Sequence, residues 1–258
     1  MRNLKEDVFY IKIGNSDFII MEIYLFLGVV AFCAGFIQGL SGFGSVLLSL
    51  PLLALFLEVK TAIPVVALFG VALTIFLLVQ LRQHWDWKKI YPLCLGSIPG
   101  APVGVWFLNR TETQLIQWTV GAVLIAYALY SLLLKPAARF TAPVWAYLFG
   151  FAAGCLGGAI SASGPPVIIY TSLQPWNKDQ IKVTLQGFFV ISGIVVVIFQ
   201  AIGGLVTGMV LWYFLAALPL LLLGTWVGSF LYGRIREETY RSILLILMGL
   251  LGLLMLFK

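Results

Sequence analysis

The sequence predicts an all-α polytopic membrane protein: two inverted repeats of about five helical segments each, with paired broken or short helices meeting near the midplane. Three observations predict it. Of 258 residues, 61% are hydrophobic and 10% charged, with a mean hydropathy of +1.04, against roughly 25% charge in a typical soluble domain. Ten apolar segments follow one another, separated by short polar loops. The second half of the chain repeats features of the first.

Taken in order, residues 1–20 mix Arg2, Lys5, Glu6, Asp7, Lys12 and Asp17 with apolar residues. Acids interrupt any basic leader and no small-residue cleavage site follows, so this stretch reads as an extramembrane arm and not as a secretory signal. A first membrane repeat, 21–134, holds segments at 21–40, 45–57, 62–81, 90–108 and 115–134. A linker at 135–143 leads to a second repeat, 144–258, with segments at 144–160, 165–173, 181–201, 209–231 and 240–257. Most approach the ~20 residues that a spanning helix needs. The second and seventh are shorter, and each follows a Gly/Ser break, as tilted short helices or half-spans would. Cys33, Cys94 and Cys155 fall in apolar segments and form no CxxC pair, so buried free thiols are expected and a disulfide framework is not.

The repeat is visible residue by residue. A shift of 120 aligns Ser41 with Ser161, Gly44 with Gly164, Phe69 with Phe189 and Gln80 with Gln200. Later the shift becomes 124, aligning Gly100 with Gly224, Gly104 with Gly228 and Arg110 with Arg234, so that a GxxxG spacing stands in each half. An odd number of segments per repeat turns the second repeat upside down. Counting each segment as a crossing puts ten cations on one side (Arg82, Lys88, Lys89, Lys135, Arg139, Lys178, Lys182, Arg234, Arg236, Arg241) and six on the other. The cation-rich side is expected to be cytoplasmic, with both termini outside. The net charge of +6 is thus read as an orienting charge in short loops, with the lipid bilayer as partner and no nucleic acid.

Two breaks interrupt this pattern at matching positions: "QGLSGFGSVLLSLP", residues 38–51, and "GGAISASGPPVIIYTS", residues 157–172. Gly164-Pro165-Pro166 cannot continue a helix. Non-helical backbone at membrane depth is tolerated only where protein or a water-filled cavity shelters it, and matched breaks in two repeats point to a binding site. The candidate substrate-binding residues are Gln38, Ser41, Gly42, Gly44, Ser45, Ser161, Ser163, Gly164, Gln186 and Lys182. Gln80, Gln200, Thr74 and Thr184 are further polar groups within segments. All ten acids lie in the arm, a loop or a segment end, so the ligand expected at the midplane is a small anion, bound by neutral donors and helix N-termini. No catalytic residue, metal site or cofactor is expected. An Asp/Glu proton relay is not expected either, which leaves a coupling ion (H+ or Na+) to be carried with the substrate or on backbone carbonyls.

At these residues the chain resembles the sulfite exporter TauE/SafE family of membrane transporters. The matching pieces are "GFIQGLSGFGSVLLSLPLL", "RQHWDWKKI" with the following "GSIPGAPVG", and "SASGPPVIIYTSLQPWNKDQIKVTLQGFF". Lys182 stands where some members carry Arg, and Gly44-Ser45-Val46 where the first signature often reads Gly-Gly-Gly. The resemblance implies a bacterial plasma (inner) membrane protein that moves sulfite or a small organosulfur anion of the sulfonate or sulfoacetate class, by alternating access. Two other readings compete. A passive anion channel would use the same breaks. An intramembrane serine protease would use "GLSG", residues 39–42, but the sole histidine, His84, lies in a loop about a membrane thickness away.

Overall fold

The computed structural model describes residues 4–80, 86–133, 142–232 and 237–258. Among them are ten α-helices and no strand: α1 (Leu4–Ser41), α2 (Ser45–Phe56), α3 (Val59–Gln80), α4 (Trp87–Arg110), α5 (Thr113–Leu133), α6 (Val144–Ile160), α7 (Gly164–Ser172), α8 (Lys178–Ile202), α9 (Gly208–Leu231) and α10 (Glu237–Phe257). Six are long and apolar enough to cross a membrane. Their exposed faces carry large apolar side chains such as Leu25, Trp106, Ile202, Trp212 and Trp226, as a lipid-facing surface requires.

Each apolar segment of the sequence is one helix, and the ends move by a few residues for local reasons. α4 starts at Trp87 because the Asp86 side chain accepts from the Lys88 amide at 3.1 Å. α8 starts at Lys178 because Asn177 and Gln180 form a reciprocal capping box. From Leu4 the stretch expected as an extramembrane arm is helical and runs on as α1 into the apolar span Met21–Ser41. His84 and most of the linker 135–143 lie outside the described residues, as do Arg82, Lys135, Arg139, Arg234 and Arg236.

Two helix pairs form the frame, and each is set by glycine. Along α4 and α6, a Cβ added at Gly96, Gly100 or Gly104 would strike the carbonyl of Tyr147, Phe151 or Cys155, while one added at Gly150, Gly154 or Gly158 would strike that of Leu93, Ser97 or Ala101. Along α1 and α9 the same holds for Gly35 against Leu221, Gly39 against Thr225, Gly224 against Phe32 and Gly228 against Phe36. Backbone rests on backbone in both pairs, which the absence of side chains alone permits. In each pair the contacts advance together along both chains, so the paired helices run parallel.

The two interfaces are the same interface. Adding 124 to an α4 residue gives its α9 counterpart, and adding 119 to an α1 residue gives its α6 counterpart: Gly154 meets Ser97 as Gly35 meets Leu221, and Gly158 meets Ala101 as Gly39 meets Thr225. Packing therefore sets the α1/α6 register one residue away from the 120 that aligns the breaks. α5 packs on its own counterpart α10 in the antiparallel sense, with Gly121 beside Gly252 and Leu256, and Ala128 beside Gly249.

The short helices α2 and α7 have 12 and 9 residues. At 1.5 Å per residue they are about 18 and 14 Å long, well under the ~30 Å of hydrocarbon. α7 runs from Gly164 to Thr171 and Ser172, which share a chamber with the early α10 residues Leu244 and Leu245. α2 ends near the other end of α10, where the Lys258 ammonium donates to the Ala54 carbonyl. The two half-length helices thus start together and point to opposite faces.

The close approach of α4 and α6 gives the first prediction. Gly104→Val drives a branched side chain into the Cys155 carbonyl and should cost ~3 kcal/mol or more. It should appear as a lower aggregation midpoint and loss of the monodisperse peak in detergent. Gly208→Ala, with no atom within 4 Å of the added Cβ, should leave both within error.

Candidate functional site

Both helix breaks border one cavity. It is lined from the first break by Gln38, Phe43, Gly44 and Ser45, from the second by Ser161, Ala162, Ser163 and Gly164, and from the sides by α3 and α8. Ala67, Gly70 and Thr74 lie midway along α3, and Phe189, Gly193 and Val196 midway along α8, which sets the cavity at the level of the helix centres. Its volume is about 70 Å³, several times the roughly 10–15 Å³ that one water needs. No Asp or Glu is among the lining residues.

Gly42 and Gly44 take φ of 81° and 96°, left-handed values that glycine adopts without cost, and they turn the chain between α1 and α2. The second turn is made by Ser161 at φ 58°, the sole non-glycine residue with positive φ among those described. It costs ~1–2 kcal/mol in an L-residue, and two bonds hold it. The Ser161 hydroxyl donates to the Ile63 carbonyl at 2.9 Å and accepts from Gln200 Nε2 at 3.2 Å. The Ser161 and Ala162 amides cap α6 on the Gly157 and Leu156 carbonyls at 2.8 and 3.3 Å.

The first break is held by two glutamines. Gln38 Nε2 donates to the Gly42 carbonyl at 3.3 Å, while its Oε1 accepts from the Ser45 hydroxyl at 2.8 Å and from the Ser45 amide at 3.4 Å. From the other half of the chain, Gln186 Nε2 also donates to the Gly42 carbonyl. Gln186 and Gln200 are fully buried, and the Oε1 of each has no hydrogen-bond partner among the described residues. These leftover atoms are acceptors and offer nothing to an anion.

This bonding separates the candidate residues by role. The hydroxyl hydrogens of Ser45 and Ser161 are committed to Gln38 and Ile63. The Ser41 hydroxyl lies within 2.7 Å of the Ile37 carbonyl and 2.5 Å of the Phe43 carbonyl, so it serves the turn and does not line the central cavity. The Thr74 hydroxyl donates back to Gly70 at 2.8 Å. Ser163 is different: it is partly exposed, lines the cavity, and its side chain makes no helix-capping bond. At α2 the Val46 and Leu47 amides are orphan first-turn donors at the cavity wall. At α7 the run Gly164-Pro165-Pro166 removes two amide hydrogens, so that terminus offers fewer donors than α2 does.

Ser41 and Lys182 line a second, larger chamber of about 280 Å³ with Tyr127, Thr171, Ser172 and Tyr232. The Lys182 ammonium stands 3.2 Å from the centroid of the Tyr232 ring, a cation–π contact. Gly42 and Gln186 line neither space and act between them. Apart from Thr74, sequence reasoning does not single out the residues of the α3 and α8 walls. Their signal is the small residues at Ala67, Gly70 and Gly193, three or four positions apart from other lining residues. Nor does it single out Phe43 and Ile168, which border both spaces.

The chain matches the family described as sulfite exporter TauE/SafE over residues 27–255. Among curated proteins it is similar to one from Cupriavidus necator (strain H16) described as "Probable sulfite/organosulfonate exporter TauE", at 30% identity over 175 residues, 66% of this chain and 68% of that protein. No solved structure is significantly similar. The family's members are exporters and not enzymes, which agrees with a Ser41 hydroxyl engaged by the backbone of its own turn. With the match running across both breaks and both glycine-set helix pairs, the chain belongs to the sulfite exporter TauE/SafE family of membrane transporters.

Proposed function

We propose that this membrane protein carries a small organosulfur anion, of the sulfite, sulfonate or sulfoacetate class, by alternating access around the central cavity. The observation that carries the reading is the donor set. The cavity presents the Ser163 hydroxyl and the α2 N-terminus, and no carboxylate among its lining residues. Oriented dipoles of this kind bind an anion without burying a lysine. A cation would meet the positive ends of both half-helices and find no counter-charge. Coupling to H+ or Na+ belongs to the same proposal. With no acid at the cavity, a proton would travel on the anion, and Na+ would be held by backbone carbonyls at the breaks.

The inverted arrangement of the repeats is part of this reading. It is supported by the antiparallel packing of α5 on α10 and by two half-length helices that diverge from one cavity toward opposite faces. Orientation in a bacterial inner membrane follows from charge, with the cation-rich loops in the cytoplasm and both termini outside.

Two predictions test these points. Ser163→Ala should weaken sulfite or sulfonate binding by about tenfold or more, since a hydrogen bond to a charged ligand contributes ~1.5–3 kcal/mol. Gly44→Val should do worse, because its φ of 96° excludes a branched side chain. Titration calorimetry on purified, monodisperse protein reads both, and unchanged affinity in the two variants would remove the cavity from the binding reaction. For orientation, a cysteine at Leu205 should react with an impermeant maleimide added to intact cells, and one at Asp86 should not. The reverse result would invert the assignment, and equal labelling would reject the inverted repeat.

A further inference from the structure

Two side chains stand between the two spaces. Phe43 and Ile168 are the residues that line both the central cavity and the Lys182 chamber. They are carried differently. Ile168 sits on α7 one turn past Gly164, toward which its Cδ1 points (3.5 Å from a Cβ built there). Phe43 sits on the non-helical link between α1 and α2, flanked by Gly42 at φ 81° and Gly44 at φ 96°. Few torsions change more cheaply than those of glycine, so the two glycines are hinges on either side of one aromatic ring. The link is held by reversible side-chain bonds: Ser41 Oγ to the Phe43 carbonyl at 2.5 Å, and the amides of Gln38 and Gln186 to the Gly42 carbonyl. The Gln186 bond comes from the other half of the chain, so a shift of α8 against α1 acts directly on the link.

We propose that Phe43 and Ile168 form the gate between the central cavity and the Lys182 chamber, and that Phe43 thereby sets which anions pass; the substrate part of this inference rests on the central cavity being the anion site. The sizes give the selectivity. About 70 Å³ accommodates a compact oxyanion head, while about 280 Å³ lies on the far side of the ring. A sulfonate with a longer carbon chain reaches the cavity only with its tail across the gate, among the apolar Leu185, Leu244 and Leu245 of the chamber. On this proposal the ring in place closes the cavity from the chamber, and its displacement joins the two spaces that Phe43 and Ile168 both line.

The test needs no knowledge of the substrate. Cys33, Cys94 and Cys155 are replaced, Ser163→Cys is installed as reporter, and a methanethiosulfonate reagent bearing a sulfonate is applied to membrane vesicles from the face that carries Lys182. Phe43→Ala and Ile168→Ala should each raise the labelling rate by about tenfold or more. Ile202→Ala, on the exposed apolar surface and outside both spaces, should leave the rate within about twofold. Unchanged rates in both gate variants, each shown monodisperse in detergent, would overturn the gate. In parallel, competition of a series of alkanesulfonates against sulfite counterflow should shift toward longer chains in Phe43→Ala, and an unshifted series would overturn the selectivity role. If the parent protein moves no sulfite or sulfonate, the anion reading and the selectivity role fall together, while the labelling rates still decide the gate.

Discussion

A peptide group without a hydrogen-bond partner in hydrocarbon costs several kcal/mol, and this fold places two helix breaks where that cost is highest. Much of the polar bonding inside the bundle offsets it. The Gly42 carbonyl, left over where α1 stops, accepts from Gln38 on its own helix and from Gln186 on α8. The second break is answered from the opposite direction, with Ser161 bonded to the Ile63 carbonyl of α3 and to Gln200 of α8. Each break is therefore satisfied by groups from the other half of the chain or from across the bundle. The halves cannot separate without exposing polar backbone to lipid. The clamps are neutral amide and hydroxyl hydrogen bonds and not ion pairs.

Glycine provides the frame around the two breaks. In α1 with α9, and in α4 with α6, carbonyl oxygens rest where a Cβ would be. Interfaces of that kind have no side chains to re-pack, so the pairs behave as rigid units. α3 and α8 line the cavity between them with Ala67, Gly70, Gly193 and Val196. The architecture is thus two rigid pairs around a central pair with smooth walls, with the half-length helices α2 and α7 held in the middle. In the alternating-access reading proposed above, one pair moves against the other and changes the cavity's access while the pairs themselves stay intact.

Much of this is legible in the sequence, and the reason lies in the range of the forces. Segment boundaries follow from local hydropathy and capping, as at Asp86 and Asn177, and the breaks follow from Gly and Pro chemistry within a few residues. The repeat offset can be read to within one residue, because GxxxG spacing is a direct imprint of helix approach. The division of labour among the serines is not legible. Ser41, Ser45, Ser161 and Ser163 look alike in the chain, yet three of them commit their hydrogens to protein acceptors. One such acceptor, Ile63, lies 98 residues away from Ser161. Gln186 stands near the second break in the sequence, but the group it reaches, 144 residues away, is the Gly42 carbonyl of the first. Lys182 and Ser41 group with the central residues in the sequence, and only the folded positions of α5, α9 and α10 show that they border a separate chamber.

That separation bears on how an anion could be handled without trapping it. A lysine inside a cavity of about 70 Å³ would incur a large desolvation cost when empty and hold its ligand too firmly when full. Keeping Lys182 outside, against the face of Tyr232, leaves its charge partly solvated and able to raise the local anion concentration near the entrance. The inner donors are then a hydroxyl and helix-end amides, each contributing modestly and none carrying a full charge. Under the proposed function, a weak neutral site behind a charged antechamber meets what transport requires: strong enough to select an anion, and weak enough to release it on the other side.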